Sequence, residues 1–501
     1  MTAARQPSVV IIGAGPTGVT AATLLARYGV ETLTLDRWAG VYPQPRAVHL
    51  DDEVYRILYG MGLAAEFAAI SRPALGLRLL DPQLRTLNEF HRDPAHTRHG
   101  YPQANMFDQP ALEAVLRTNL GRYPQATLRG DAEVTGITES DDRIRITFRD
   151  RRDGTEHTVD ADYLLGCDGA NSITRDHIGS SMRDLKFEQR WLVVDVKTGA
   201  DLQQWEGVHQ LCDSRRAGTY MRIGDTRYRW EFRLLPGEKA EDFSTVAALR
   251  PLIAPWTAGV DDAQLEIVRA AEYTFRAQIA QSWRRGNVFL LGDACHLTPP
   301  FIGQGMCAGL RDAVNLSWKL AGVINGRLDR SALDTYEQER KPHVRAMIGL
   351  ALAVGRAMTS GGRLGDALRR RIVPRMHLLP GLRAKVLDSV TPALSPTALV
   401  SPSPLAGTLC PNAVLGGDAA PGPPRRLDSV LGDWFAVVTA VPLSAQDRTA
   451  AQRRGVSVHL AEPGGGVAAW LRDGGVEAVL GRPDHTVMRG GSAREVCAAP
   501  P

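Results

Sequence analysis

The most restrictive feature of this chain lies in its first 36 residues. Ser8 to Ile12 is a short β-rich run that ends in Gly13-Ala14-Gly15-Pro16-Thr17-Gly18. An Ala- and Leu-rich stretch of helical spacing follows to Tyr28, Gly29 stops it, and Glu31 to Asp36 reads as a second strand. A GxGxxG between a strand and a helix predicts a βαβ unit that opens a parallel sheet. Gly13 makes the tight turn, Gly15 lets backbone approach a pyrophosphate, and Gly18 lets helix and strand pack closely. Pro16 and Thr17 open the helix whose N-terminus would face the anion. Asp36, with Arg37 beside it, is placed to accept ribose hydroxyls. A carboxylate there suits FAD or NAD rather than NADP. The bland alternative is a tight βα turn with no ligand.

The rest of the chain changes character several times. Helical and polar segments follow, with a break around Pro94 to Pro102. Met106 to Pro110 then opens a helix, with Pro110 in the first turn. Ile144 to Phe148 and His157 to Leu165 read as two strands around an Asp153-Gly154 turn. From Trp191 to Phe275 the period is mainly two. Arg227 to Leu235 sets Tyr228, Trp230, Phe232 and Leu234 on one face and Arg229, Glu231 and Arg233 on the other. That is the pattern of an antiparallel sheet. Asn287 to Leu291 is a further buried strand, and helices dominate from about Leu310 to Val390. The last stretch reads βαβαββ, a small α/β unit. The expected fold class is α/β, a Rossmann-like domain with an inserted antiparallel-sheet domain and a C-terminal domain. The division is 1–180 and 276–390 for the two parts of the nucleotide-binding domain and 181–275 for the sheet domain. Residues 391–424, rich in Pro, Gly and Ala, form a linker or extended arm, and 425–501 the terminal domain.

Composition excludes several classes of function. Lys plus Arg is 59 and Asp plus Glu is 55, so net charge implies no nucleic-acid partner. No apolar run approaches the 18 or so residues of a membrane span. Six cysteines, none in CxxC spacing, suit free thiols in the cytoplasm. Histidines and cysteines do not cluster at ligand spacing apart from Cys295-His296, so no metal is expected.

Two further motifs choose between FAD and NAD. Cys167-Asp168-Gly169-Ala170-Asn171-Ser172, with Arg175, follows the strand ending at Leu165. Gly292-Asp293-Ala294-Cys295-His296 follows the strand at Val288 to Leu291, and Pro299-Pro300-Phe301-Ile302-Gly303-Gln304-Gly305 comes next. With these three fingerprints in order, the chain resembles the group A FAD-dependent aromatic hydroxylases of the p-hydroxybenzoate hydroxylase fold. Pro45 to Glu53, Arg311 to Leu316 and Tyr336 to Arg340 look like the corresponding segments of 3-(3-hydroxyphenyl)propionate hydroxylase-like monooxygenases. His49 and the Pro299-Pro300-Phe301 loop depart from that pattern, which leaves the substrate open.

The resemblance implies an enzyme that uses FAD, NAD(P)H and O2 to hydroxylate a small phenolic substrate through a flavin C4a-hydroperoxide. Other readings are an epoxidase or Baeyer–Villiger oxygenase on a polyketide, and a flavin-binding protein without turnover. It further implies that Gly292 and Asp293 meet the ribityl chain or phosphates, that Arg46 pairs with pyrophosphate, and that Gln109 reaches the ribityl hydroxyls. Asp168 would serve FAD and the nicotinamide cofactor. Gly303, Gln304 and Gly305 would lie at a helix start with N–H groups facing the flavin ring, and Pro300 would belong to the same cofactor site. The terminal domain looks like the thioredoxin-like appendage of the phenol-hydroxylase branch, a packing or homodimer module. Tyr220, Arg222 and Tyr273 are candidates to line the substrate pocket, though a surface cation and a core aromatic are the plain readings. His49, at an ordinary pKa near 6.5, is a candidate proton acceptor for the phenol, or else a packing residue before the Asp51 helix cap.

Overall fold

The computed structural model describes residues 7–44, 46–92, 97–140, 143–203, 205–378, 391–415 and 425–498. Val9–Ile12, Thr32–Leu35, Tyr163–Gly166, Val288–Leu290 and Ala126–Arg129 form a parallel sheet, with Arg284–Arg285 antiparallel at one edge. Its central strands Val9–Ile12, Tyr163–Gly166 and Val288–Leu290 are near-continuous, buried apolar runs, as in a sheet covered on both faces. Helix Pro16–Arg27 crosses helix Gly305–Ile324 closely, since a Cβ at Gly309 would sit 2.3 Å from Thr17 Oγ1.

The single strand expected over His157 to Leu165 is two strands in two sheets. Glu156–Ala161 pairs with Arg143–Asp150 in a hairpin, whereas Tyr163–Gly166 runs beside Val9–Ile12. Asp162 marks the change of partner, where its N–H donates to Ser8 O.

The second large sheet has eight strands. In order they are His296–Leu297, Glu266–Ala280, Met182–Lys197, Arg227–Arg233, Gly218–Arg222, Val208–Leu211, Gly76–Leu80 and Thr86–His91. Its last two strands come from a stretch read as helical and polar. Gly76–Leu80 finds its parallel partner in Val208–Leu211, more than a hundred residues later. One face of the sheet buries Tyr228, Trp230, Phe232 and Leu234 under Leu249 and Ile253 of helix Val246–Ile253. The other face turns toward the nucleotide-binding domain.

The terminal unit is a four-stranded mixed sheet, ordered Ser457–Leu460, Ala436–Thr439, Ala478–Gly481, Val487–Gly491. A short helix, Ala493–Ala498, follows the expected elements. The described part of the 391–424 arm is packed, with Leu399, Val400 and Cys410 buried. Among the described residues no helix is long and apolar enough to cross a membrane.

Candidate active site

A cavity of about 910 Å³ lies between the parallel sheet and the free face of the eight-stranded sheet. The expected cofactor residues Gly15, Pro16, Thr17, Arg46, Gln109, Asp293, Pro300, Gly303, Gln304 and Gly305 all line it. The glycine turn is built as expected. Gly13 has φ +99°, and a Cβ there would lie 2.3 Å from Cys167 O. A Cβ at Gly18 would lie 2.0 Å from Gly13 O, whereas one at Gly15 would meet nothing within 4 Å. The open side of Gly15 is where a ligand approaches, and the first N–H groups of helix Pro16–Arg27 lack intrahelical acceptors. Helix Gly305–Ile324 presents its own N-terminus to the same cavity, with Gly305 likewise unobstructed. Two helix N-termini, glycines without steric cover and an arginine make a donor set that fits an FAD pyrophosphate and the electron-rich edge of its ring.

Other expected contacts are already engaged within the protein. Asp36 accepts from Ala14 N at 2.6 Å and Trp38 N at 2.8 Å, so it fixes the glycine turn and does not itself line the cavity. Arg37 is exposed, with its guanidinium 5.6 Å from the Trp38 ring centroid. Asp168 turns inward as a local cap, accepting from Ser172 Oγ at 2.5 Å, Thr174 N at 3.0 Å and Thr174 Oγ1 at 2.9 Å. Its neighbours Cys167, Gly169 and Ala170 line the cavity in its place. Gln109 Oε1 accepts from Arg46 N at 3.0 Å and Ala47 N at 2.6 Å, while its Nε2 donates to Glu113. Its amide therefore holds the Arg46 segment against the cavity. Gly292 adopts φ +61° under Thr17, and its N–H donates to Asp312. Asp293 opens onto the cavity, and the protein packed around it raises its carboxyl pKa by desolvation.

The start of the long helix is held by a network the sequence reading missed. Asp51 Oδ2 accepts from Gln304 Nε2 at 2.9 Å and Arg311 Nη2 at 2.5 Å, while its Oδ1 caps Val54 N at 2.9 Å. Arg311 also donates to Gln304 Oε1 at 2.8 Å and pairs with Glu53 at 2.8 Å. Burial opposes the Asp51 charge, but Arg311 and these donors outweigh it and hold the carboxyl below its usual range. Asp51 was legible only as a helix cap, because its partner stands 260 residues away.

His49 lines the cavity beside Gly303, with Nδ1 3.4 Å from Gly303 O. A carbonyl only accepts, so Nδ1 carries the proton and Nε2 is the acceptor. Burial, and then the Arg92 charge, bring its pKa down to about 4 rather than the 6.5 expected. It is neutral at pH 7 and a weak base. Tyr220 does not line the cavity. Strand alternation sends Thr219 and Met221 to it and stacks Tyr220 on Trp230 on the opposite face, 4.8 Å between ring centroids. Arg222 stands at the strand end, bound to Glu206 Oε1 at 3.1 Å and Asp225 O at 2.7 Å. Tyr273 does line the cavity, and its hydroxyl accepts from Arg269.

Cys295, His296 and Asp312 lie close enough to share an ion. Asp312 is nevertheless taken up by His296 Nε2 at 2.8 Å, Gly292 N at 3.1 Å and Arg340 Nε at 2.9 Å. A guanidinium on the same carboxylate makes this a buried hydrogen-bond network and a poor cation site.

Comparison with known proteins agrees with this geometry. The family model described as "FAD binding domain" matches residues 6–351. The chain is 37% identical over 438 residues to a 3-(3-hydroxy-phenyl)propionate/3-hydroxycinnamic acid hydroxylase of Burkholderia cenocepacia (strain HI2424), covering 87% of this chain and 79% of the relative. It is 35% identical over 449 residues to the hydroxylase of the same name from Mycolicibacterium gilvum (strain PYR-GCK), covering 87% and 76%. Aklavinone-11 hydroxylase, solved with FAD and aklavinone, superposes with a TM-score of 0.79 at 23% identity, over 99% of this chain and 98% of that one. The OxyS anhydrotetracycline hydroxylase from Streptomyces rimosus gives 0.76 at 25% identity, over 98% and 96%. By its three nucleotide-site motifs, its cavity and these relatives, the chain belongs to the FAD-binding-domain family, as a member of the FAD-dependent aromatic hydroxylases.

Proposed function

We propose that this enzyme hydroxylates the ring of a phenol carrying a short carboxylate side chain, with NAD(P)H as reductant and O2 as oxidant. The observation that carries the reading is the continuity of one cavity, with FAD-binding motifs on one wall and the free face of a β-sheet on the other. FAD, once reduced, supplies the chemistry that activates O2. The protein's part is to place the phenol against the ring, exclude water, and manage the phenolic proton. The two helix N-termini stabilise negative charge on the cofactor. Arg46, Arg92 and Arg269 bring positive charge to the walls, which suits an anionic side chain. The substrates for which the relatives are named, 3-(3-hydroxy-phenyl)propionate and 3-hydroxycinnamic acid, have that chemistry. Six unpaired cysteines support a cytoplasmic setting.

The test is a comparison of 3-(3-hydroxyphenyl)propionate with its neutral amide. The acid should stimulate NAD(P)H oxidation and give a product heavier by one oxygen atom, and the amide should need a far higher concentration. Equal use of both would refute recognition of the carboxylate. Arg269→Met should raise the KM for the acid by about 10- to 100-fold, as loss of a charge-assisted hydrogen bond implies. Its KM for the amide should hardly move. An equal change for both compounds would take Arg269 out of the carboxylate site.

A further inference from the structure

Resting on that reading of the cavity, we propose that Glu231 is the group that binds the phenolic hydroxyl and takes its proton. The argument starts from strand register. Gln210 stands opposite Thr219, Thr219 opposite Glu231, Glu231 opposite Val193, and Val193 opposite Ala271. Those five residues form one row across five neighbouring strands, and all five line the cavity. Side chains on a strand alternate between faces, so the row is its floor. Glu231 is the middle residue of that row and its only ionisable one.

The carboxylate is poorly provided for within the protein. Its ion contact is Arg229 Nη1 at 3.8 Å, too long for a hydrogen bond. Arg229 is committed elsewhere, to Asp195 through two bonds of 2.7 and 2.8 Å and to Arg46 O at 2.8 Å. No described residue donates a hydrogen bond to Glu231. The groups facing it are Arg229 on its own strand, Asp195 on Met182–Lys197, and Arg269 and Tyr273 on Glu266–Ala280; the last two are bonded to each other. A largely buried carboxylate without a donor is costly, and a substrate hydroxyl in the cavity would satisfy it.

The chemistry favours Glu231 over His49. Desolvation raises the Glu231 pKa, with Arg229 opposing, and so brings the carboxylate nearer to a phenol in basicity. His49 has moved the other way, to about 4. In the proposed step the phenolic O–H bond breaks, its electron pair stays on the oxygen, and the proton bonds to a Glu231 carboxylate oxygen. The ring is then electron-rich for oxygen transfer. As the product regains aromaticity it loses a ring C–H proton to water, and the oxygen recovers its proton from Glu231.

Glu231→Gln keeps the shape of the side chain and removes the base. With 3-(3-hydroxyphenyl)propionate at neutral pH, hydroxylation should fall by about 100- to 10,000-fold, the usual contribution of a general base. Flavin content should stay as in the wild type, and the thermal midpoint should not fall, since the amide removes a poorly paired buried charge. Activity should recover as pH rises toward the phenol's own pKa near 10, and at lower pH with a more acidic ring-fluorinated analogue. Unchanged hydroxylation, or a loss that neither pH nor the acidic analogue repairs, would overturn the proposal. Ultraviolet difference titration separates it from the functional reading. Bound to the oxidised enzyme, the phenol should show a phenolate band with wild type and none with Glu231→Gln. Identical spectra sink the role of Glu231 whether or not turnover occurs. Absence of phenol-stimulated turnover in the wild type sinks the functional reading instead.

Discussion

Arg311→Met should destabilise the enzyme by about 3–5 kcal/mol, as loss of one partner from a buried ion pair does. Arg311, Asp51 and Gln304 are almost wholly buried, and the guanidinium is the cation that Asp51 and Glu53 share. Methionine fills the space of the aliphatic stem but leaves Asp51 with its backbone cap and the Gln304 amide alone. The Asp51 carboxyl, now held below its usual range, should then rise above it. Because Gln304 loses its Arg311 donor and precedes the first turn of Gly305–Ile324, flavin affinity should fall with stability. The measurements are the urea midpoint and the flavin retained on gel filtration. The double variant Arg311→Met with Asp51→Asn should recover part of the loss, since it removes the stranded charge as well as the ion pair. A single variant within about 1 kcal/mol of wild type would mean the network does not hold the helix start.

What the sequence could and could not disclose divides along the range of the interactions. The βαβ start, the Asp153-Gly154 turn and the alternating Arg227 to Leu235 strand are dictated by neighbours a few residues apart, and the structure has each of them in place. Gly76–Leu80 escaped notice because its strand partners come from residues 86–91 and 208–211. The split at Asp162 was hidden for a similar reason, since the apolar run continues while the partner changes. In the site, the glycines were legible because their role is steric and local. Asp168, Asp36 and Gln109 carry acceptors that backbone donors 6, 22 and 62 residues away take up, which composition does not reveal. Tyr220 and Thr219 differ by one position, so they lie on opposite faces, and only the pairing register says which face meets the cofactor. Glu231 was assigned to the polar face of its strand, and the structure turns that face toward the cavity.

Glu339→Gln should cost about as much as loss of Arg311, one to two turns further along the same face of the long helix. Glu339 Oε2 accepts from Lys319 Nζ and Asn315 Nδ2, both at 2.8 Å, and Oε1 from Arg482 Nη1 and Thr397 Oγ1, both at 2.9 Å. Arg482 belongs to the terminal unit and also pairs with Asp484, which accepts from Trp318 Nε1 at 3.2 Å. One carboxylate thus ties two helices, the 391–415 arm and the terminal sheet together with no solvent exposure. An amide puts N–H groups where two cations expect an acceptor, and burial already brings Lys319 down to about 8. Acid should produce the same failure in the wild type. Burial opposes the Glu339 charge, but Arg482 and Lys319 hold its pKa below the ordinary 4.5, and Asp484 lies below its own ordinary value. The unfolded chain therefore binds more protons than the folded one, and the stabilisation present above about pH 4.5 is lost as pH falls below it. Removing Glu339 should flatten that acid slope by up to about 1.4 kcal/mol per pH unit, the contribution of one titrating group. Urea titrations at several acidic pH values read this directly. Parallel slopes for wild type and Glu339→Gln would show that the latch between the domains does not depend on this charge.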